Sequence, residues 1–125
     1  MTRRIESHDW GTMTWLADAT TGAASTVSVA RMVLNPGQSS PLHHHPNCEE
    51  VVLLESGTVV HEIGGVLVEH EPETCAVIPS GSAHFTKNIG ASAARLLVTY
   101  GSPSREYVAG ANANMPPNKP LQRNC

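Results

Sequence analysis

Two short segments of this chain, residues 37–50 and 79–88, carry residue types that bind metal ions. The first contains three consecutive histidines, His43, His44 and His45, and ends in two glutamates. The second adds one more histidine. Neutral imidazole and ionised carboxylate are ligands that Zn, Mn, Fe and Ni share. The two segments therefore predict a metal site if the fold brings them together.

Strand alternation selects among the histidines of the first segment. His43 and His45 are two residues apart, so on a strand both side chains leave by the same face, whereas His44 points the other way. Pro46 cannot donate a ladder hydrogen bond and marks a turn or bulge, after which the alternation can restart in a new phase. This break allows Glu50 to join His43 and His45 on one side.

The second segment supplies the remaining histidine. The turn signal at residues 79–81 would begin a strand that carries His84, Thr86 and Asn88 on one face. Four protein ligands leave about two positions on an octahedral ion for water or substrate. The predicted metal ligands are His43, His45, Glu50 and His84.

The elements that position these residues are predicted to be β-strands, because the dominant hydrophobic period of the chain is two. Gly- and Pro-containing turns end the strands at regular spacing, and Gly64-Gly65 is a two-residue hairpin signal. Seven or eight short strands without a convincing helix predict an all-β sandwich or barrel. The expected strands are 10–16, 26–34, 49–54, 58–63, 66–69, 74–78, 84–88 and 93–100.

With 125 residues, 40% of them hydrophobic, the chain is expected to form a single domain. We place an N-terminal segment with one edge strand at residues 1–24 and the barrel at 25–108. Residues 109–125 are rich in Asn, Pro and small side chains, which predicts a poorly ordered C-terminal tail.

Charge and hydropathy narrow the class of partner. The net charge of −3 and the scattered basic residues argue against nucleic-acid binding. No apolar run is long enough to span a membrane, and the N-terminus does not resemble a secretory signal. An odd number of cysteines, three, with no pairing pattern fits reduced thiols. We therefore expect a cytoplasmic protein with no nucleic-acid or membrane partner.

The first segment resembles the first motif of the cupin superfamily. Gly37, His43, His45, Glu50 and Gly57 match the pattern G-x5-H-x-H-x4-E-x6-G over its full length. Glu49, the residue before Glu50, could compete as a ligand, but the spacing to Gly57 selects Glu50.

The second segment is similar to most of the second cupin motif, with Pro79, Gly81, His84 and Asn88 in their places. The glycine that usually opens this motif is replaced by Glu73, a departure that touches a loop and leaves the ligands intact. The resemblance implies a double-stranded β-helix, the jelly-roll or cupin barrel, with one divalent transition metal (Zn, Mn, Fe or Ni) in its mouth. It also implies a homodimer joined through sheet edges.

Three residues outside the quartet are candidates for catalytic roles: Arg31, His61 and Tyr100. His61 and Tyr100 could supply a base near the substrate carbon, as could Glu62 or a ligand-bound hydroxide. His61 also stands outside any motif, as does His70, and an isolated strand histidine is typically a satisfied polar residue.

Arg31 is the only charge in an otherwise apolar or small-residue strand. If its face lines the barrel, the guanidinium needs an anionic partner such as a substrate carboxylate. If its face points outward, Arg31 is an ordinary surface charge.

The ligand quartet favours an enzyme over a module that only binds a ligand, although cupins include both and fold alone does not choose. We expect non-redox chemistry, an isomerase, epimerase or lyase, on a small sugar-like, hydroxy-ketone or hydroxy-acid substrate, with the metal as Lewis acid. The alternatives are an Fe- or Mn-dependent dioxygenase and a non-catalytic small-molecule-binding cupin.

Overall fold

The computed structural model of the protein describes residues 3–22 and 26–111, which form eleven β-strands and no helix. Eight strands lie where the alternation predicts them, and the other three are β1, β4 and β11. In chain order the strands are β1 (Arg4–His8), β2 (Gly11–Ala17), β3 (Ser28–Leu34), β4 (His43–His44), β5 (Glu50–Ser56), β6 (Val59–Ile63), β7 (Val66–His70), β8 (Cys75–Ile78), β9 (His84–Asn88), β10 (Ala94–Tyr100) and β11 (Val108–Ala109). Over the same ranges there is no helix that could cross a membrane.

The strands form two antiparallel sheets. One has the order β1-β2-β3-β10-β5-β8 and the other the order β11-β4-β9-β6-β7. From β3 onward the chain passes from one sheet to the other at nearly every connection, and only the β6–β7 hairpin stays within one sheet. This path is that of a double-stranded β-helix, so the predicted all-β jelly-roll fold is confirmed.

The core lies on the inner faces of the strands. Along β3 the residues alternate strictly between buried and half-buried, and β10 and β5 follow the same pattern for most of their length. Each large apolar side chain buried in this way contributes about 1.5–3 kcal/mol to folding. The core cluster is Met13, Trp15, Ala30, Met32, Leu34, Cys48, Val52, Leu54, Val59, Ile63, Val68, Ile78, Ala94, Leu96, Val98 and Tyr100.

The turns show why certain residue types stand where they do. Gly64 and Gly65 have φ of 58° and 83° and connect β6 to β7 with Ile63 opposite Val66, as the hairpin signal predicted. Glu73, which replaces the usual glycine, has φ of 64° and is the only non-glycine residue with positive φ in the described ranges. The backbone at this position keeps the conformation that favours glycine.

The two ends of the described chain both contribute strands. The N-terminal segment holds a hairpin, β1–β2, in place of the one predicted strand, and β2 pairs along β3. At the other end β11 pairs with β4 across the predicted boundary at residue 108, with Val108 opposite His44. Most of the predicted tail, residues 112–125, lies outside the described residues.

Candidate metal centre

The four predicted ligands come together inside the barrel. One donor atom from each of His43, His45, Glu50 and His84 lies within 4.8 Å of every other, and all four residues are buried. His43 in β4 is directly opposite His84 in β9. Glu50 begins β5 in the opposite sheet. The cluster therefore joins both sheets of the barrel.

Backbone carbonyls set the orientation of all three imidazole rings. Nδ1 of His43 lies 2.6 Å from the carbonyl oxygen of Pro41, Nδ1 of His84 lies 2.8 Å from that of Ser82, and Nδ1 of His45 lies 2.8 Å from that of Glu106. A carbonyl oxygen only accepts hydrogen bonds, so each Nδ1 carries a hydrogen and donates it. In the neutral rings, the lone pair is then on Nε2.

These Nε2 atoms converge on the carboxylate. Nε2 of His84 lies 3.1 Å and Nε2 of His45 lies 3.2 Å from Oε1 of Glu50. Nε2 of His45 is buried and has no hydrogen-bond partner within residues 3–22 and 26–111. Lone pairs that face a carboxylate oxygen at this distance repel it unless a proton or a metal cation lies between them.

The electrostatics of the cluster favour a positive charge at its centre. Burial alone would raise the pKa of Glu50, but His84 and His45 outweigh burial and hold this pKa well below its usual range. Burial, assisted by His84, lowers the pKa of His43 to about 3, so its ring is neutral. Burial opposes the charged form of His84, yet Glu50 raises the pKa of this ring. The donor set, three imidazoles and one ionised carboxylate, fits a divalent transition metal.

The neighbours of the quartet in sequence are turned away from it. His44 is buried, and its Nδ1 donates to the carbonyl oxygen of Gly110 at 3.0 Å. It does not belong to the cluster, in agreement with the strand alternation. Glu49 is exposed, so Glu50 is the glutamate of the cluster. Cys48 packs in the hydrophobic core, and burial raises the pKa of its thiol, which keeps it protonated.

A cavity of about 350 Å³ opens onto the cluster. Its volume is at the small end of the range for ligand pockets. The cavity is lined by Glu6, His8, Trp10, Met13, Met32, Ser40, Pro41, His43, Glu50, His84, Thr86, Val98, Tyr100, Arg105 and Tyr107. Thioether and aliphatic walls beside a polar end fit a small molecule with an oxygen-rich group at one end.

Of the three predicted catalytic residues, only Tyr100 lines this cavity. Burial and the nearby carboxylate of Glu50 raise the pKa of Tyr100 well above its usual value, so its phenol keeps its proton. That state suits Tyr100 as a hydrogen-bond donor and not as the base suggested by its sequence position.

Arg31 and His61 lie elsewhere. Arg31 is on the outer, half-buried face of β3 and forms a bidentate ion pair with Glu55. Of the two alternatives, it is therefore an ordinary surface charge and not a residue that lines the barrel. His61 is fully buried, and its two ring nitrogens contact Oγ1 of Thr86 at 2.8 Å and Nδ1 of His70 at 2.7 Å. With both nitrogens engaged, His61 has no free lone pair to act as a base.

Sequence reasoning missed the segment that follows β10, which lies over the cluster. The ring of Tyr107 stacks on His43 with centroids 4.6 Å apart. Asn47 accepts a hydrogen bond from the backbone N–H of Glu106 at 2.8 Å and holds the segment in place. Arg105, in the same segment, lines the cavity. The one available signal was the pair of Arg105 and Tyr107 inside a stretch predicted to belong to the barrel.

The fold and the site together define the class of protein. The family model for the cupin domain matches residues 30–100, more than half of the chain, and the chain belongs to this family. Two plant proteins show what it is similar to. It is 34% identical over 85 residues to auxin-binding protein ABP19a of Prunus persica, and 33% identical over 92 residues to germin-like protein 3-8 of Oryza sativa subsp. japonica. These alignments cover 62% and 69% of this chain, and the chain spans about 40% of each relative's length.

Solved structures agree on the fold. An oxalate decarboxylase of Lactobacillus farciminis, in a formate complex, superimposes with a TM-score of 0.78 at 22% identity, over 86% of this chain and 33% of that chain. An oxalate oxidase superimposes with a TM-score of 0.72 at 27% identity, over 82% of this chain and 57% of that chain. The similarity extends over nearly all of the described barrel.

Proposed function

We propose that this protein is a metal-dependent cupin enzyme that acts on a small oxygenated metabolite. The observation that carries the proposal is the convergence of one nitrogen from each of three histidines and one ionised carboxylate at the end of a cavity. Three residues of the cluster, His43, Glu50 and His84, line that cavity directly.

His43, His45, Glu50 and His84 would hold the ion. When bound, a divalent metal supplies Lewis-acid chemistry to an oxygen of the substrate. The chain's own residues exclude water and orient the substrate. Met13, Met32 and Val98 form walls that exclude water, and the protonated phenol of Tyr100 can donate a hydrogen bond to a substrate oxygen. The backbone carbonyls behind the three histidines keep their rings in one orientation.

The reaction type is proposed as non-redox, an isomerase, epimerase or lyase reaction. Fold neighbours named as an oxalate decarboxylase and an oxalate oxidase support a small oxygenated substrate and keep an Fe- or Mn-dependent dioxygenase as the redox alternative. The similarity to a protein named for auxin binding supports the other alternative, a cupin that binds a small molecule without converting it.

Oligomeric state and location stay predictions. We propose a homodimer and a cytoplasmic location from the family resemblance and the composition. Size-exclusion chromatography with light scattering and localisation of a tagged full-length chain would test these two points independently of the site.

The function is tested by elemental analysis of protein purified without a nickel column or chelator, followed by assays on small hydroxy-acids, hydroxy-ketones and sugars. Stoichiometric metal with substrate turnover and no oxygen uptake supports the proposal. Substrate-dependent oxygen consumption with bound iron or manganese supports the dioxygenase. Absence of metal in the purified protein, with ligand binding retained, would contradict the proposal and support the binding module.

A further inference from the structure

We propose that Arg105 is the residue that recognises substrate, and that the group it recognises is a carboxylate. The substrate is then a small organic acid anion, with its acid group on Arg105 and another oxygen directed to the histidine–glutamate cluster. The inference rests on the proposed function and specifies its substrate class. Nothing in the sequence motifs points to Arg105, which lies 21 residues beyond the last predicted ligand.

Three aromatic rings surround the guanidinium group of Arg105. Its central carbon lies 4.7 Å from the ring centroid of Trp15, 5.2 Å from that of Tyr100 and 5.3 Å from that of Tyr107. Such contacts hold a guanidinium by cation–π attraction and fix its plane. Arg105 also donates a hydrogen bond to the hydroxyl oxygen of Tyr100. Its Nε–H makes no hydrogen bond within the described residues, so that edge of the guanidinium stays available to a planar anion.

Arg105 has no carboxylate partner in the described part of the chain, unlike two other arginines. Arg4 pairs with Asp18 at 3.0 Å and Arg31 pairs with Glu55 at 2.9 Å. The Nε atom of Arg105 is buried and makes no hydrogen bond within the same ranges. A buried donor on a cation is costly unless an anion accepts from it. A ligand carboxylate would meet that need with two parallel hydrogen bonds.

The surrounding contacts bring Arg105 to the metal cluster. The carbonyl oxygen of Glu106, the next residue, accepts the hydrogen bond from Nδ1 of His45. Tyr100 is a shared neighbour, because its ring centroid is 5.1 Å from that of His45 and 5.2 Å from the guanidinium carbon. Arg105 and three residues of the cluster line the same cavity, so one small acid anion in it can contact both.

The charge of the cavity favours a carboxylate over a phosphate ester. Arg105 is the only arginine or lysine among its lining residues, while Glu6 and Glu50 each add a negative charge. A single guanidinium matches one carboxylate in charge and in shape. A phosphate dianion carries a second negative charge, for which the lining offers no second arginine or lysine.

The test is isothermal titration calorimetry on the protein as purified, with the metal content of each sample measured in parallel. The probes are glycolate, lactate, oxalate and malonate, with glycolamide and lactamide as neutral analogues and glycerol phosphate as the phosphate probe. The variants are Arg105→Gln and Arg105→Lys. Arg31→Gln is the matched control, because it removes the same charge from an arginine outside the cavity.

The proposal predicts that at least one carboxylate binds and that its neutral analogue binds at least about tenfold more weakly. It also predicts that Arg105→Gln lowers the affinity for that carboxylate by about tenfold to a hundredfold, while Arg31→Gln leaves the affinity unchanged. Arg105→Lys keeps the positive charge but lacks the planar guanidinium, so its loss of carboxylate affinity should be intermediate. This variant also provides a measurement if Arg105→Gln does not fold. Equal carboxylate affinity in wild type and both Arg105 variants would overturn the proposal. Tighter binding of glycerol phosphate, or no binding of any acid, would also overturn it.

Metal analysis separates this inference from the function on which it rests. If wild type lacks metal but binds a carboxylate through Arg105, the proposed enzyme fails and the anion site stands. If wild type and Arg105→Gln both hold metal and bind acids equally well, the anion site fails and the metal centre stands.

Discussion

Nε2 of His61 lies 2.7 Å from Nδ1 of His70, and this contact fixes the hydrogens on both rings. Nε2 of His70 lies 2.7 Å from the carbonyl oxygen of Thr74, to which it can only donate. Nδ1 of neutral His70 must therefore accept from Nε2 of His61. Nδ1 of His61 in turn accepts from the hydroxyl of Thr86 at 2.8 Å. Every member of this buried chain is satisfied when both histidines are neutral.

Protonation of His61 should therefore destabilise the fold. Burial, with His70 adding to it, lowers the pKa of His61 from 6.5 to about 4, so the unfolded chain binds this proton before the native state does. Stability is then full above pH 6.5 and falls as the pH approaches 4, by roughly 2–4 kcal/mol from this residue. Urea unfolding at a series of pH values should show a shallower decline for His61→Gln than for wild type. Identical profiles for the two proteins would contradict the assignment, and His8→Gln on the exposed edge strand serves as the control.

Glu73→Gly should stabilise the protein by about 0.5–1 kcal/mol, because it relieves a left-handed backbone at a residue with a Cβ. Glu71→Gly is the matched control, since Glu71 is also exposed but has no positive φ, and there glycine should destabilise. The midpoints of thermal and urea unfolding measure both effects. A loss of stability in Glu73→Gly equal to that in the control would show that the backbone at residue 73 is not strained.

Gly57→Ala should cost about 2–5 kcal/mol, because two effects add there. Gly57 has φ of 105°, and a Cβ on it would lie 2.7 Å from Cα of Ala94. Gly37 has φ of 74° but open space around it, so Gly37→Ala should cost only about 1–2 kcal/mol of backbone strain. Both glycines belong to the first motif, and a comparison of their unfolding free energies separates steric contact from strain. Equal losses would mean that contact with β10 contributes nothing.

The strands and the grouping of the four candidate ligands were predictable from the sequence, because both depend on local periodicity and on chain breaks. The two-residue spacing of His43 and His45 and the break at Pro46 operate within a few residues. His61 was predicted as a candidate base or as a satisfied polar residue, and the pairing of His61 with His70 was not predicted. The identity of each partner depends on the pairing of β6 with β7 and β9.

Other features could not be predicted, because they depend on distant contacts or on weak patterns. β1 (Arg4–His8) is a polar edge strand whose sequence shows no apolar alternation. Arg105 contacts the ring of Trp15, which is distant in the sequence, and nothing local to either residue indicates that contact. The outward direction of the Arg31 side chain follows from the pleat of β3. Alternation alone does not say which face of the strand points inward, because a shift of one residue exchanges the two faces.

The central claim is that His43, His45, Glu50 and His84 hold one divalent metal. The most direct measurement is the metal content, by mass spectrometry, of His84→Ala and His44→Ala purified without a nickel column or chelator. His84→Ala should retain less than about a tenth of the wild-type metal, because it removes a converging Nε2. His44→Ala should retain the wild-type amount, since its ring faces the carbonyl of Gly110. Equal metal content in the two variants would contradict the assignment of the site.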